Sequence, residues 1–170
     1  MKKIAKRILI TNLFLLVTVF TIHAQSDKTE NISCTSKNGL TETEINSLLE
    51  AHNMVRGELG LPKLVWNCQL ADYAQKWAAR GVAEHSDTFY GENLFVASET
   101  DASPLEGVER WANEKTFWDA PTRACQTGKV CSHYLQLISK TTTKIGCGIN
   151  RAAGEKWKVL MVCNYDSMAF

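Results

Sequence analysis

The chain has 170 residues, 45% of them hydrophobic and 22% charged, with a formal net charge of +1. A balance this near zero, with no local Lys/Arg cluster, excludes the basic footprint of a nucleic-acid-binding domain. Six cysteines in so short a chain point instead to a disulfide-bearing fold.

Lys2, Lys3, Lys6 and Arg7 precede an apolar run from Ile8 to Ile22, and a small-residue exit follows at His23-Ala24-Gln25. This is the plan of a secretory signal peptide over residues 1–25, and it is short for a membrane span. An uncleaved anchor is the alternative reading. No cysteine follows the expected cut, so a lipoprotein is not indicated. Cleavage removes four positive charges and no negative ones, turning +1 into −3. About 145 residues remain, enough for one domain with a real core. Cys34, Cys68, Cys125, Cys131, Cys147 and Cys163 all lie in this mature part. An even count behind a signal peptide reads as three disulfides made in an oxidising compartment. A cysteine-held zinc is disfavoured, because no C-x-x-C pair occurs. Asn31-Ile32-Ser33 is a glycosylation sequon if the source is eukaryotic.

Residues 26–40 read as a polar tail that Cys34 pins to the body. Thr41 and Glu44 form a capping box, and Ile45, Leu48, Leu49, His52 and Val55 recur at helical spacing. This first helix is expected to end near Arg56 and Gly57, with His52 buried and hydrogen-bonded on its apolar stripe. Asn67 caps a second helix whose inner face is Leu70, Tyr73, Ala74, Trp77 and Ala78. Cys68, in its first turn, is placed to tether the tail.

Next comes HSDTFYGENL, residues 85–94, which sets His85 and Glu92 seven residues apart across a turn-prone Ser-Asp-Thr. In isolation this is either a surface pair or two polar groups aimed at one cleft. Ser103-Pro104 then opens a third helix with Leu105, Val108, Trp111 and Ala112 inward. Glu114 follows Trp111 by three and leans toward the buried side, where a carboxylate needs a partner. The competing reading is an exposed glutamate beside Lys115. After a small loop from Cys125 to Cys131, SHYLQLI forms a short helix with Ser132 as a possible cap. Tyr134, Leu137 and Ile138 are expected to face the core.

The chain closes in a hairpin of KIGCGIN (144–150) and KWKVLMVCN (156–164). The last strand is apolar on both faces, which predicts a central strand covered on both sides. Antiparallel pairing brings Cys147 and Cys163 together at the outer strand ends, Cys125–Cys131 closes a local loop, and Cys34–Cys68 remains. The expected fold class is α+β: a disulfide-stabilised three-layer α-β-α sandwich around a small antiparallel sheet, spanning residues 41–170.

AHNMVR at 51–56, GENL at 91–94, SHYLQ at 132–136 and VCNYD at 162–166 resemble the four signature motifs of the CAP superfamily (SCP domain). Its members include the cysteine-rich secretory proteins, the antigen-five venom allergens and the group-one pathogenesis-related proteins of plants. The resemblance covers roughly residues 43–166 and implies the same α-β-α sandwich. It implies a cavity tetrad of two histidines and two glutamates, which falls on His85, Glu92, Glu114 and His133. It also implies the pairs Cys125–Cys131 and Cys147–Cys163. The third family bridge uses a cysteine just before the first tetrad histidine. Val82-Ala83-Glu84 stands there instead, so Cys34–Cys68 is a departure. Ser132, Leu135 and Ser139 replace the usual glycine, threonine and tryptophan. The proline-glycine-asparagine tail of the plant proteins and the cysteine-rich extension of the vertebrate ones are missing. Neither release of a signalling peptide nor channel blocking is therefore expected.

Two imidazoles and two carboxylates suit a divalent cation, zinc above all, with His85 and His133 as ligands. Such binding weakens below about pH 6 as protons compete for the rings. A hydrogen-bonded polar cluster without a metal is the alternative. A zinc-bound water with Glu92 or Glu114 as general base would make a hydrolase or protease. Neither H-E-x-x-H nor G-x-S-x-G is present to support one. The favoured expectation, implied by the resemblance, is a secreted extracellular binding module. Its partner is a small apolar ligand such as a sterol or fatty acid, or a protein at a cell or host surface. Trp66, Phe89, Tyr90 and Trp118, in irregular segments, are candidate contacts, although burial in the core is the stronger expectation for each.

Overall fold

The apolar run near the C-terminus builds the centre of the molecule. In the computed structural model, which describes residue 34 and residues 37–169, strand β5 (Lys144–Asn150) pairs antiparallel with β6 (Val159–Tyr165). On its other side β6 pairs antiparallel with β2 (Gly91–Ala97). A two-residue strand, β1 (Val65–Trp66), runs parallel to β5 at the far edge. The order β1-β5-β6-β2 puts β6 inside the sheet, and all seven of its residues are buried. An unbroken apolar strand requires this.

Side chains alternate across the sheet and sort the helices into two layers. Val159, Met161, Cys163 and Tyr165 join Leu48, Val108, Trp111 and Leu137 in one core cluster. Leu160 and Val162 join Ala74 and Ala78 in a second. Helices α1 (Glu42–Gly57), α3 (Pro104–Asn113) and α4 (Ser132–Leu137) thus cover one face, and α2 (Cys68–Ala78) covers the other. The expected α-β-α sandwich is present. Two glycines let α2 lie directly on β5. A Cβ at Gly146 would come within 2.2 Å of the Ala71 nitrogen, and one at Gly148 within 2.4 Å of the Gln75 backbone.

The helix starts follow the capping residues. Thr41 with Glu44 and Ser103 with Glu106 each form a complete capping box, and Asn67 accepts from the Leu70 N–H. Ser132, expected as a cap, instead lies inside α4; Cys131 holds the cap position without a side-chain bond. The sheet is also not purely antiparallel, because of β1. A second small sheet, β3 (Trp118–Asp119) with β4 (Ala124–Cys125), was likewise not anticipated. Two-residue strands are too short to show a period in sequence.

All three disulfides pair as expected: Cys34–Cys68, Cys125–Cys131 and Cys147–Cys163. Cys147 and Cys163 face one another in register, with Cys147 at mid-strand rather than at the strand end. The signal peptide over 1–25, the Asn31 sequon and most of the 26–40 tail lie outside the described residues. Among the described residues no helix is long and apolar enough to cross a membrane.

Candidate functional site

Glu92 leaves β2 toward the α2 side of the sheet, and its side chain is only 4% exposed. A carboxylate this buried needs donors, and it has four. Oε1 accepts from His85 Nδ1 (2.9 Å) and the Ser86 N–H (2.8 Å); Oε2 accepts from Ser86 Oγ (2.6 Å) and Asn164 Nδ2 (3.1 Å). Both oxygens are thereby filled. The loop carrying His85 is held by this grip and by the Trp77 indole, which donates to the Glu84 carbonyl at 2.7 Å. That bond sits where the resemblance led one to look for a cysteine.

His133 approaches from the opposite face of the sheet, in the first turn of α4. Its Nδ1 donates to Glu114 Oε1 at 2.5 Å, and the Tyr134 N–H donates to Glu114 Oε2 at 3.1 Å. Glu114 therefore turns inward, while Lys115 reaches out to Glu58 at 3.3 Å. Helical spacing left this open because α3 ends at Asn113 and Glu114 begins a tighter 3-10 turn, Glu114–Phe117, with a different periodicity. Trp111 stacks on the His133 ring, centroids 6.1 Å apart at 20°. Asn93 Nδ2 donates to the His133 carbonyl (3.1 Å) and to the Tyr165 hydroxyl (3.3 Å).

That hydroxyl continues inward. Tyr165 donates to His52 Nε2 at 2.9 Å, and His52 Nδ1 donates to the Leu48 carbonyl at 2.7 Å. Burial pushes the His52 pKa down to about 4, partly opposed by the Leu48 bond and reinforced by the Arg56 charge. His52 is a neutral core residue, buried and bonded as its place on the helix suggested. Arg56 is wholly buried beside it and donates to the carbonyls of Pro62, Leu137, Ser139 and Thr142. It ties α1 to the far end of α4.

His85, Glu92 and His133 line one cleft of about 260 Å³, together with Asn93, Gln136 and Met168. Glu114 does not line it and stands behind His133. Each histidine spends Nδ1 on a carboxylate, so each keeps Nε2 without a protein partner among the described residues. Gly91 gives the cleft its depth. A Cβ there would lie 2.5 Å from both the Gln136 amide oxygen and the Ser167 carbonyl. Three contributors escaped the sequence reading: Ser86, Gln136 and Asn164. Ser86 adjoins His85, and Gln136 and Asn164 lie inside quoted motifs, but the Glu92–Asn164 contact appears only in the register of β2 with β6, and Gln136 reaches the cleft from α4 while bonding Thr142 and Ser167. No group of three His, Cys, Asp or Glu side chains converges as a metal cage among the described residues.

The four candidate aromatics divide. Trp66, Tyr90 and Trp118 are half-buried, Trp66 and Trp118 within short strands, and Tyr90 packs edge-on against Tyr73 at 5.3 Å. Phe89 reverses the expectation of burial and is 96% exposed. It lies between Thr88 and Tyr90, both of which line the cleft.

The model of the cysteine-rich secretory protein family, CAP, matches residues 49–165. The chain belongs to the CAP family. It is 34% identical over 158 residues to the pathogenesis-related protein PR-1 of Medicago truncatula, covering 91% of this chain and 88% of that protein. The venom allergen-like protein 4 of Schistosoma mansoni shares the fold at a TM-score of 0.62 and 26% identity, covering 76% of this chain and 90% of that one. NaASP2, crystallised with Zn2+, superposes at a TM-score of 0.66 and 22% identity, covering 81% and 86%; at that identity the likeness shows the fold alone. As a CAP protein of the pathogenesis-related type, this is an extracellular, secreted protein.

Proposed function

We propose that this CAP protein is a secreted binding module whose cleft presents two oriented imidazole nitrogens to a divalent cation. The observation that carries the reading is the paired arrangement His85–Glu92 and His133–Glu114. In each, a carboxylate fixes the ring through Nδ1 and leaves Nε2 for the cleft. Carboxylates behind histidines in this way set tautomer and orientation and raise ligand basicity. The donors fit zinc or a similar ion in type. With two imidazoles and no third protein ligand the affinity is low, and the cation would serve to bridge a ligand rather than to hold the fold.

Hydrolysis gains no comparable support. A general base needs a free lone pair facing the water it activates, and Glu92 has none to spare, while Glu114 is outside the cleft wall. The partner class is a small apolar ligand such as a sterol or fatty acid, or a protein at a cell surface. The exposed Phe89 and half-exposed Met168 beside the cleft support it.

Calorimetric titration with zinc chloride tests the cation. A saturable exotherm or endotherm lost in His85→Ala/His133→Ala is expected, and identical traces for the two proteins would sink the reading. Zinc-independent cleavage of any ester or peptide that survives in that variant would also contradict it.

A further inference from the structure

A second hollow, of about 620 Å³, lies between the β3–β4 hairpin and the C-terminal end of α4; it meets the first cleft at Ala169 but is lined by neither histidine. Its volume is in the range of small-molecule sites, roughly 300–1,000 Å³. Trp118 on the hairpin and Leu135 and Ile138 on the α4 side make its apolar surface. Two cations complete it, Arg123 on the hairpin turn and Lys140 just beyond α4. Neither has a carboxylate or other polar partner among the described residues, and both are exposed.

Three further observations set this place apart. Arg123 is the one described non-glycine residue with positive φ, at 53°. Such strained positions cluster at ligand clamps. The hollow's two walls are joined covalently, because Cys125 ends the hairpin and Cys131 caps α4, and the two are bonded. Binding there does not have to order the walls first. Finally, the carbonyls of Leu137 and Ser139, which would repel an anion at this helix end, are occupied by the buried Arg56 guanidinium. Arg56 thus adds its charge on the side of Arg123 and Lys140, while Asp119, the acid on the same hairpin, accepts from the Thr122 N–H at 3.5 Å.

We propose that this hollow is a ligand site separate from the His/Glu cleft, and that it takes a flat aromatic monoanion, an aryl carboxylate. The ring lies against Trp118, Leu135 and Ile138, and the carboxylate sits between Arg123 and Lys140. An indole favours an aromatic partner through offset or edge-on stacking. A guanidinium both stacks on such a ring and grips a carboxylate with two parallel N–H donors. Leu135 and Ser139 are two of the positions at which this chain departs from the motif it resembles, and both line the hollow. The proposal rests on reading the chain as a binding module but not on the cation cleft.

Titration calorimetry of the full chain with 1-naphthoate, neutral 1-naphthalenemethanol and decanoate tests it. Saturable 1-naphthoate binding is expected, at least tenfold tighter than that of the neutral alcohol. Arg123→Gly/Lys140→Ala should weaken it tenfold or more. Glycine suits the backbone at 123 and both side chains are exposed, so this variant keeps its fold, which circular dichroism verifies. His85→Ala/His133→Ala should bind 1-naphthoate as the parent does. The proposal is overturned by absence of saturation, by indifference to the Arg123/Lys140 change, by loss in the histidine variant, or by a preference for decanoate. Failure of zinc to bind the cleft changes none of these readouts.

Discussion

Burial decides how His52 responds to acid. Folded, its pKa is about 4; unfolded, it returns to about 6.5, so the unfolded chain takes up the proton first. Stability from this residue is complete above pH 6.5 and is lost as pH falls through that window toward 4. The integrated loss is about 3 kcal/mol. Urea midpoints measured between pH 7 and pH 4.5 should fall accordingly. Asp166, whose bonds from Thr143 and Lys144 hold its carboxyl low against the effect of its own burial, adds a further loss only at lower pH. Arg56 responds to substitution rather than to pH. Arg56→Met strands carbonyls from three segments, and each buried acceptor left without a donor costs about 1–3 kcal/mol. A drop in urea stability of at least about 3 kcal/mol is expected.

At the scale of elements, the weak point beside the site is the loop that carries His85. It has no disulfide of its own and is pinned through Trp77, Ser86 and Glu92. Trp77→Phe keeps a ring but removes the donor to Glu84, so zinc affinity should fall several-fold while thermal stability changes by less than about 1 kcal/mol. A loss of stability with unchanged zinc affinity would show that the bond serves packing alone. The β5–α2 contact is less forgiving. Gly148→Ala drives a methyl into the Gln75 backbone and should cost about 1–3 kcal/mol by urea titration. These two elements also show what the sequence could reveal. Capping residues and apolar spacing located α1, α2 and α3, because those signals are local. Glu114 stayed ambiguous because helical periodicity stops one residue before it. Asn164 and Gln136 were invisible as site residues because their roles depend on register between segments far apart in the chain. Phe89 was misjudged because an apolar side chain carries no mark of which way its loop turns.

For the whole molecule, the three disulfides act on different parts. Cys147–Cys163 staples a hairpin already paired, Cys125–Cys131 joins hairpin to helix, and Cys34–Cys68 spans 34 residues of chain. Cys34→Ser/Cys68→Ser should lower stability by about 3–4 kcal/mol through loop entropy, yet leave zinc titration unchanged, because neither cysteine lines the cleft. The buried Arg56 has a consequence in time as well as in energy. Its acceptor Thr142 comes 86 residues later, and the β6 residues that cover α1 come later still. At about 5–20 residues per second of synthesis, roughly 4–17 s pass before that acceptor exists. Through that interval α1 has α3 to pack against but not the strand that completes its face of the sheet. For an exported chain, α1 is made before α2, α3 and α4 and yet is secured only when the last strand arrives.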